Sequence, residues 1–309
     1  MNIGYISSDA YSQYLGISML SLFENNINTK EINVYIYDDG IQQENKNKIL
    51  KIAKEYKRNI FFCKSEKLSQ VAAKMGFPSF RNSFTTYAKI FPTLSFPIKD
   101  RILIIDCDTI INQSLQEVYD TDMKDALVMA TPELSAYFMS SEDKEVIYRE
   151  KFYYNTGFLL WNVRGVIESD FIERARKVFN SYGKKLRLAD QSLFNLTVNE
   201  GDVIPLHYKY NYNINLHVYP DLRKNVQKMY AEFGLGYKNI NPDKKISGKQ
   251  IAVIHYLGDK RPWILGKFAP LSTYYNKYWK MSPWKDIKRE SYFNYIIIDK
   301  IKIAMQACN

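Results

Sequence analysis

Cysteine is scarce in this chain, with three residues among 309. Cys63, Cys107 and Cys308 are odd in number and scattered, which excludes a closed disulfide framework and a cysteine metal site of ordinary ligand spacing. The pattern points to a reducing compartment. No run of about 18 apolar residues occurs, so nothing reads as a membrane span. The first ten residues hold no basic region and no long apolar stretch. No secretory leader is therefore expected, and a cytoplasmic location is. A glycine-rich phosphate loop is missing near the N-terminus, which counts against a nucleotidyltransferase. A uniform basic coat is missing too. Net charge is +10, but residues 259–309 carry +6 of it. A general nucleic-acid binder would not confine its charge to a tail, so no nucleic-acid partner is expected.

What is present is an ordinary globular composition, 46% hydrophobic and 25% charged, in a chain long enough for one large domain or one domain with an appendage. The 25 tyrosines accompany abundant Lys, Asn and Ile and are not by themselves a carbohydrate signal. The most informative stretch is Arg101-Ile-Leu-Ile-Ile-Asp-Cys-Asp108. Residues 102–105 are apolar without alternation, as in a strand buried on both faces. Asp106 and Asp108 then arrive at the strand's carboxyl end, where open α/β sheets bind ligands. Carboxylates two apart on an extended strand point the same way and can face one divalent cation. The bland reading is an acidic cap before a turn. Cys107, between them, reads as a small packing residue.

Strands are predicted over 3–6, 32–37, 60–62, 126–130, 157–162 and 251–254, and helices over 14–24, 42–56, 85–91 and 171–182. That alternation implies βαβ units and an α/β fold with a parallel sheet. Residues 208–218 alternate apolar and polar and predict a half-exposed strand or hairpin edge. After Trp263 sheet signals fade, and a final apolar-basic helix is expected over 292–305. The division is a domain over 1–265 and an extension over 266–309.

Three further islands join the acid pair. In Tyr154-Asn-Thr-Gly-Phe-Leu-Leu-Trp-Asn162 a glycine opens an apolar strand between two amides, permitting close backbone approach to a ligand or merely a turn. In Asp190-Gln-Ser-Leu-Phe-Asn195 the aspartate is placed to cap a helix. In His255-Tyr-Leu-Gly-Asp-Lys-Arg-Pro-Trp263 a strand-end histidine offers a metal ligand, and the basic loop after it offers phosphate donors.

These islands, in this order from residue 3 to about 263, resemble the retaining glycosyltransferases of family 8. The acid pair alone is a weak signal; the ordered set is specific. The resemblance implies a GT-A-type nucleotide-sugar-binding domain with a mixed, mostly parallel sheet. It implies Mn²⁺, with Mg²⁺ as the alternative, held by Asp106, Asp108 and His255. It also implies a UDP-sugar donor and a glycan, glycolipid or glycoprotein acceptor. Two carboxylates and an imidazole suit Mn²⁺ better than Mg²⁺, which prefers all-oxygen shells. By the same resemblance Tyr11 stacks on uracil, and Ser7, Ser8, Asp9 and Cys107 line the nucleotide-binding turns. Ser8 stands where several relatives have an aspartate. Lys89 replaces a family arginine, keeping the charge without bidentate geometry. Gly258 lets the loop close, and Lys260 or Arg261 reaches the diphosphate. Asn155, Asp190 and Gln191 line the donor sugar, with Glu133 in loose correspondence to a sugar-binding aspartate.

Gln191 is a neutral amide and a poor nucleophile, so a covalent glycosyl-enzyme is not expected, unlike in retaining glycosidases. A front-face displacement is the expected course. The tail interleaves Tyr274, Tyr275, Tyr278, Trp279 and Trp284 with Lys277, Lys280, Lys285, Lys288 and Arg289. Such a mixture suits peripheral contact with the inner face of an anionic membrane. It suits packing on the domain equally. A sugar-nucleotide-binding protein without catalysis is the reading from a different class; the intact set Asp106, Asp108, Asp190, Gln191 and His255 speaks against it.

Overall fold

The computed structural model of the chain describes residues 1–64, 66–74, 76, 84–133, 152–183, 186, 188–232, 246–258 and 260–287. Its strands are β1 (Asn2–Ser8), β2 (Asn33–Asp39), β3 (Asn59–Cys63), β4 (Arg101–Ile105), β5 (Thr109–Ile111), β6 (Val128–Pro132), β7 (Tyr154–Asn162), β8 (Val203–Pro205), β9 (Tyr212–Asn213) and β10 (Val253–His255). The principal helices are α1 (Ser12–Asn25), α2 (Gln43–Glu55), α3 (Phe171–Tyr182), α4 (Ala189–Thr197), α5 (Pro220–Glu232) and α6 (Ser272–Met281). Seven strands form one sheet in the order β3-β2-β1-β4-β7-β6-β8, and β5, β10 and β9 form a second, smaller one. Within the large sheet β1, β2, β3 and β4 run parallel, while β7 lies antiparallel to both β4 and β6. This is the mixed, mostly parallel α/β sheet that the family resemblance implies, where the alternating pattern alone predicts a parallel one.

Strand β4 sits at the centre because its side chains tolerate burial on either face. Leu103 and Ile105 enter one hydrophobic cluster and Ile102 and Ile104 the other. Each fully buried side chain of this kind contributes about 1.5–3 kcal/mol. Helix α1 is buried along nearly its whole length, from Leu15 to Phe23, so it has no solvent face to make it amphipathic. One side of it meets the C-terminal segment. A Cβ on Gly16 would overlap the Trp284 ring, so the ring packs directly on the α1 backbone.

Three expectations need correction. Residues 208–218 are not a half-exposed strand: a 3-10 helix (Tyr208–Asn211), the two-residue β9 and a short helix (Asn215–Val218) replace it. His207 accepts from the Lys209 N–H, and Asn213 accepts from the Asn215 N–H. These local side-chain caps turn the chain where a ladder would have kept it extended. The predicted helix over 85–91 is a 3-10 turn (Thr85–Lys89) with a separate helix at Pro92–Ser95, because Pro92 lacks an N–H to continue the ladder. Asp190 lies inside the first turn of α4 rather than at its cap, and the Ser192 hydroxyl accepts from Leu188 N instead.

Residues 266–287, expected to begin an extension, fold back on the rest of the chain. Tyr275, Tyr278 and Trp284 are buried, Asn25 Nδ2 donates to Tyr278 Oη at 2.7 Å, and the Trp284 indole N–H donates to Asn45 at 3.0 Å. The helix predicted over 292–305, with Lys288 and Arg289, lies outside the described residues. Among the described residues no helix is long and apolar enough to cross a membrane.

Candidate active site

The site forms where the large sheet ends and the small sheet begins. Asp106 follows β4 directly, and its N–H still bonds Gly157 O of the neighbouring strand at 2.9 Å. The chain then turns through Cys107 and Asp108 into β5. Antiparallel pairing of β5 with β10 sets His255 opposite Thr109, and Tyr256 N donates to Asp108 O at 2.9 Å. Register therefore carries a histidine from 147 residues downstream to the acid pair. His255 Nε2 lies 3.0 Å from Asp108 Oδ1 and 3.8 Å from Asp106 Oδ2. One ligand atom from each of Asp106, Asp108 and His255 lies within 4.8 Å of the others. Two hard oxygens and one imidazole nitrogen at this spacing fit a divalent transition ion.

Gly157 has a more specific function than a turn. A Cβ there would overlap His255 Cε1 and stand 2.8 Å from its Nδ1. The absent side chain is what admits the imidazole, rather than a ligand, to the acid pair.

Electrostatics hold the cluster together. Burial alone would lower the His255 pKa, but the Asp108 carboxylate, and Asp106 after it, raise it above the ordinary histidine value. Burial opposes ionisation of Asp108, yet His255, Arg261 and Lys89 together keep its pKa below the ordinary carboxylate value. Lys89 Nζ contacts Asp106 Oδ1 at 2.7 Å and lies 3.7 Å from Asp190 Oδ2. Burial works against its charge, and the two carboxylates more than offset it, so the Lys89 pKa is raised. Arg261 approaches the other acid of the pair, 3.6 Å from Asp108 Oδ2, its Nε donating to Tyr256 O at 3.2 Å. Arg261 thus reaches toward the acids from the basic loop, directly after Lys260. Gly258, at φ +77°, makes the turn between, a conformation that costs glycine little.

Beyond Lys89 lies a polar wall. Asp190 is 8% exposed and accepts from Thr86 Oγ1 at 2.5 Å and Thr156 Oγ1 at 2.9 Å. Gln191 Oε1 accepts from Asn155 Nδ2 at 3.1 Å, and Gln191 Nε2 donates to Glu133 Oε2 at 3.2 Å. Asn155 Nδ2 also donates to Glu133 Oε2 at 2.6 Å. An irregularity in the β6–β7 register at Ala130/Thr131 frees this end of β7 to turn Asn155 into the wall. Beside it opens a pocket of about 200 Å³, polar along Glu133, Asn155 and Asn213 and apolar along Leu216, Leu222 and Val226.

The N-terminal residues gather at the parallel strand ends. Ser7 is buried with its hydroxyl on Ser8 O, and these two pair in register with Asp38 and Asp39. Asp9 Oδ1 accepts from Gln42 N and Asn45 Nδ2, each at 2.8 Å, which ties it to the start of α2. Tyr11 is 36% exposed and meets Tyr14 edge-on at 5.5 Å; Tyr14 in turn packs on Trp263 at 4.3 Å. Aromatic contacts therefore join the N-terminal turn to the basic loop. Cys107 is buried with Sγ 3.1 Å from Ile6 O, and burial raises its thiol pKa well above the ordinary range. Its side chain packs toward β1.

Thr86, Thr156 and Asn211 are site residues that sequence reasoning missed. Thr86 and Thr156 are ordinary hydroxyls beside singled-out residues. Asn211 falls on the polar register of the 208–218 alternation and carries no signal of its own.

A sequence model described as Glycosyl transferase family 8 matches residues 2–265. A Haemophilus influenzae protein provisionally assigned as a glycosyltransferase is 29% identical over 69% of this chain, which spans 63% of that protein's length. The lipopolysaccharide 1,3-galactosyltransferase of Salmonella typhimurium is 23% identical over 92% of this chain and 79% of its own. The crystal structure of galactosyltransferase LgtC with donor and acceptor sugar analogs superposes with a TM-score of 0.72, covering 92% of this chain and 99% of that one at 21% identity. That likeness bears on the fold, which is of the GT-A glycosyltransferase kind.

Proposed function

The chain belongs to glycosyl transferase family 8, and on that premise we propose that it transfers a hexose, glucose or galactose, from a UDP-sugar to a glycan, glycolipid or glycoprotein acceptor with retention of configuration. Residues 1–265 are the catalytic unit in this reading and 266–309 its extension. The observation that carries it is the convergence of Asp106, Asp108 and His255, with Lys89 beside one acid and Arg261 beside the other. A strand-end acid pair, one imidazole and two flanking cations form a receptor for a metal–diphosphate group.

Asp106, Asp108 and His255 would hold Mn²⁺, which when bound supplies charge neutralisation of the leaving diphosphate. Lys89 and Arg261 add fixed positive charge beside the two acids. Tyr11 offers its exposed face to the base, with Ser7, Ser8 and Asp9 around it. Gln191, Asp190 and Glu133 offer polar groups to the donor sugar. In the step itself the bond from C1 of the sugar to the β-phosphate oxygen breaks, and a bond from C1 to the acceptor oxygen forms on the same face. The acceptor hydroxyl's proton passes to the departing phosphate oxygen, and UDP leaves. Gln191 Oε1 already accepts from Asn155 Nδ2 and, at 3.4 Å, from Thr156 N. An uncharged oxygen held by two donors is poorly suited to covalent attack, which supports the front-face course over a glycosyl-enzyme. Its carbonyl dipole instead stabilises positive charge on the sugar.

The test needs no acceptor. With Mn²⁺ and a panel of UDP-sugars, slow hydrolysis should release UDP from one hexose donor preferentially. Gln191→Ala should depress that turnover with a modest loss of donor affinity. Absence of UDP release from every donor, with the cation bound, would favour a protein that binds sugar nucleotides without turning them over.

Peripheral contact with an anionic bilayer is proposed for the extension on a separate observation. Phe268, Met281 and Ile287 are exposed there beside Lys267, Lys280 and Lys285. Liposome flotation of the intact chain against Phe268→Ser/Met281→Ser/Ile287→Ser tests it; equal flotation would reject it.

A further inference from the structure

The polar groups behind the acid pair form one continuous chain whose direction is fixed at a single point. Asn155 Oδ1 lies 2.8 Å from the backbone N of Gly157. A backbone N–H can only donate, so the atom facing it must be the amide oxygen of Asn155. That same oxygen lies 2.7 Å from an Asn211 side-chain atom, which must therefore be the donor Nδ2. The other end of the Asn211 amide is then its oxygen, and it faces His255 Nδ1 at 2.7 Å. An amide oxygen accepts, so Nδ1 carries the proton. Nε2 is left to face Asp108 at 3.0 Å. One backbone N–H thus settles the orientation of two amides and places a proton on His255 Nδ1. In the metal-free chain Nε2 also donates, to the ionised Asp108, and a bound cation takes the place of that second proton.

The chain is buried, and its central amide, Asn155, is saturated. Asn155 is 7% exposed, Asn211 5% and His255 fully buried. Asn155 uses both lone pairs of its oxygen, on Gly157 N and Asn211 Nδ2, and both hydrogens of its nitrogen, on Glu133 and Gln191. An amide offers no more than these four. Asn155 therefore has no remaining capacity for a sugar hydroxyl and serves to orient its neighbours.

We propose that Asn211 is a positioning residue for the cation site: its amide oxygen holds His255 as the Nδ1–H tautomer and so presents the Nε2 lone pair to the ion bound by Asp106 and Asp108. This rests on the metal-dependent reading given above. Outer partners of ligating histidines act in this way elsewhere, and removing them typically costs 10–100-fold in metal affinity. Asn211 also lines the pocket beside the polar wall, so its action through His255 is read from ion binding alone, with no sugar or nucleotide present. The Asn211 nitrogen, by donating to Asn155, links the ion site to Gln191 through Asn155 Nδ2. One chain of three side-chain amides thus runs from the metal ligand to the donor-sugar wall.

The experiment is a direct titration of the full-length chain with Mn²⁺ alone, read by the loss of the free-ion electron paramagnetic resonance signal. Asn211→Leu should weaken Mn²⁺ binding 10–100-fold. Asn211→Asp keeps an acceptor for Nδ1–H but sets a second oxygen against Asn155 Oδ1, and should retain more Mn²⁺ affinity than Asn211→Leu. Nitrogen-15 NMR of His255, assigned by its loss in His255→Ala, should show a protonated Nδ1 in the Zn²⁺-loaded chain and in Asn211→Asp. Should Asn211→Leu not fold, Asn211→Ala carries the same expectation. Unchanged Mn²⁺ affinity in Asn211→Leu or Asn211→Ala would overturn the proposal, as would a protonated Nε2 in the loaded chain. So would an unmodified chain that binds no Mn²⁺. Ion binding is read without UDP-sugar, so an intact Asn211 effect with no donor hydrolysis would reject the transferase reading alone.

Discussion

Lys89 stands between two carboxylates from different parts of the chain, its Nζ 2.7 Å from Asp106 and 3.7 Å from Asp190. The side chain is 14% exposed, so this is a largely desolvated arrangement. Removing one partner of such a pair leaves buried charge uncompensated, at a cost of about 3–5 kcal/mol. Lys89→Met should therefore lower the thermal midpoint of the metal-free chain markedly. A divalent cation replaces the missing positive charge beside Asp106, so Mn²⁺ should raise the midpoint more in Lys89→Met than in the unmodified chain. Differential scanning fluorimetry with and without Mn²⁺ reads both numbers. An equal Mn²⁺ shift in the two proteins would mean that Lys89 and the ion do not share the same carboxylates.

Gly157 is the narrowest point of the site. The Cβ of Gly157→Ala would overlap His255 Cε1 and meet Asn155 Oδ1 at 2.9 Å. Neither neighbour is free to move, since each is bonded into the amide chain. Overpacking of this kind typically costs about 1–3 kcal/mol. The larger consequence is local: a displaced ring cannot bring Nε2 to the acids. Gly157→Ala should fold with a reduced midpoint and bind Mn²⁺ at least ten-fold more weakly, by isothermal titration calorimetry. Retained affinity would show that the ring has room to retreat along another path.

Much of this site is legible from local sequence, because its parts lie at strand ends. The non-alternating run 102–105 marks the central strand, the acids follow it at once, and His255 closes another apolar run. What sequence cannot supply is register. Pairing of β5 with β10 decides that His255 meets Asp108 rather than passing it, and nothing in either segment alone states that pairing. Thr86, Thr156 and Asn211 stay hidden for the same reason, being polar residues whose partners are 34–104 positions away. The departure at 208–218 has a different origin. Alternation there is real, but His207 and Asn213 spend their side chains on local backbone N–H groups and bend the segment. Period alone does not report such caps.

Trp284 fixes the segment that follows residue 265 to helices α1 and α2. Its ring covers the α1 backbone at Gly16, and its N–H bonds Asn45 of α2. Loss of a buried aromatic of this size costs about 3–5 kcal/mol. Trp284→Ala should therefore destabilise the whole protein and not merely loosen its end. Gly16→Ala should also destabilise, by about 1–3 kcal/mol, because its methyl must push the ring outward. The two changes act on one contact, so they should not add. Once the ring is gone, Gly16→Ala should cost little further or even be neutral. Urea unfolding of both single variants and the double variant measures this, and strict additivity would place the ring elsewhere.

His207 gives the fold a pH dependence separate from the ion site. Its Nδ1 accepts from Lys209 N at 2.8 Å, and its ring stacks on Tyr208. Burial, and after it the charge of Lys209, lowers its pKa from 6.5 to about 3. The neutral form is therefore the folded one. Between these two values the unfolded chain binds the proton that the folded chain refuses, so stability rises with pH across that window and is lost as pH falls through it. At pH 5 the separation from the unfolded value is about 1.5 units, worth at most about 2 kcal/mol. His207→Asn keeps a side-chain oxygen to accept from Lys209 N, a role for which Asn is well suited, but it cannot take up a proton. Its stability should change less between pH 7 and pH 5 than that of the unmodified chain, by up to about 2 kcal/mol in denaturant midpoints converted to free energy. The carboxylates of the site contribute equally to both proteins and cancel in the difference. Parallel pH profiles for the two would mean that His207 is solvated enough to titrate normally in the folded state.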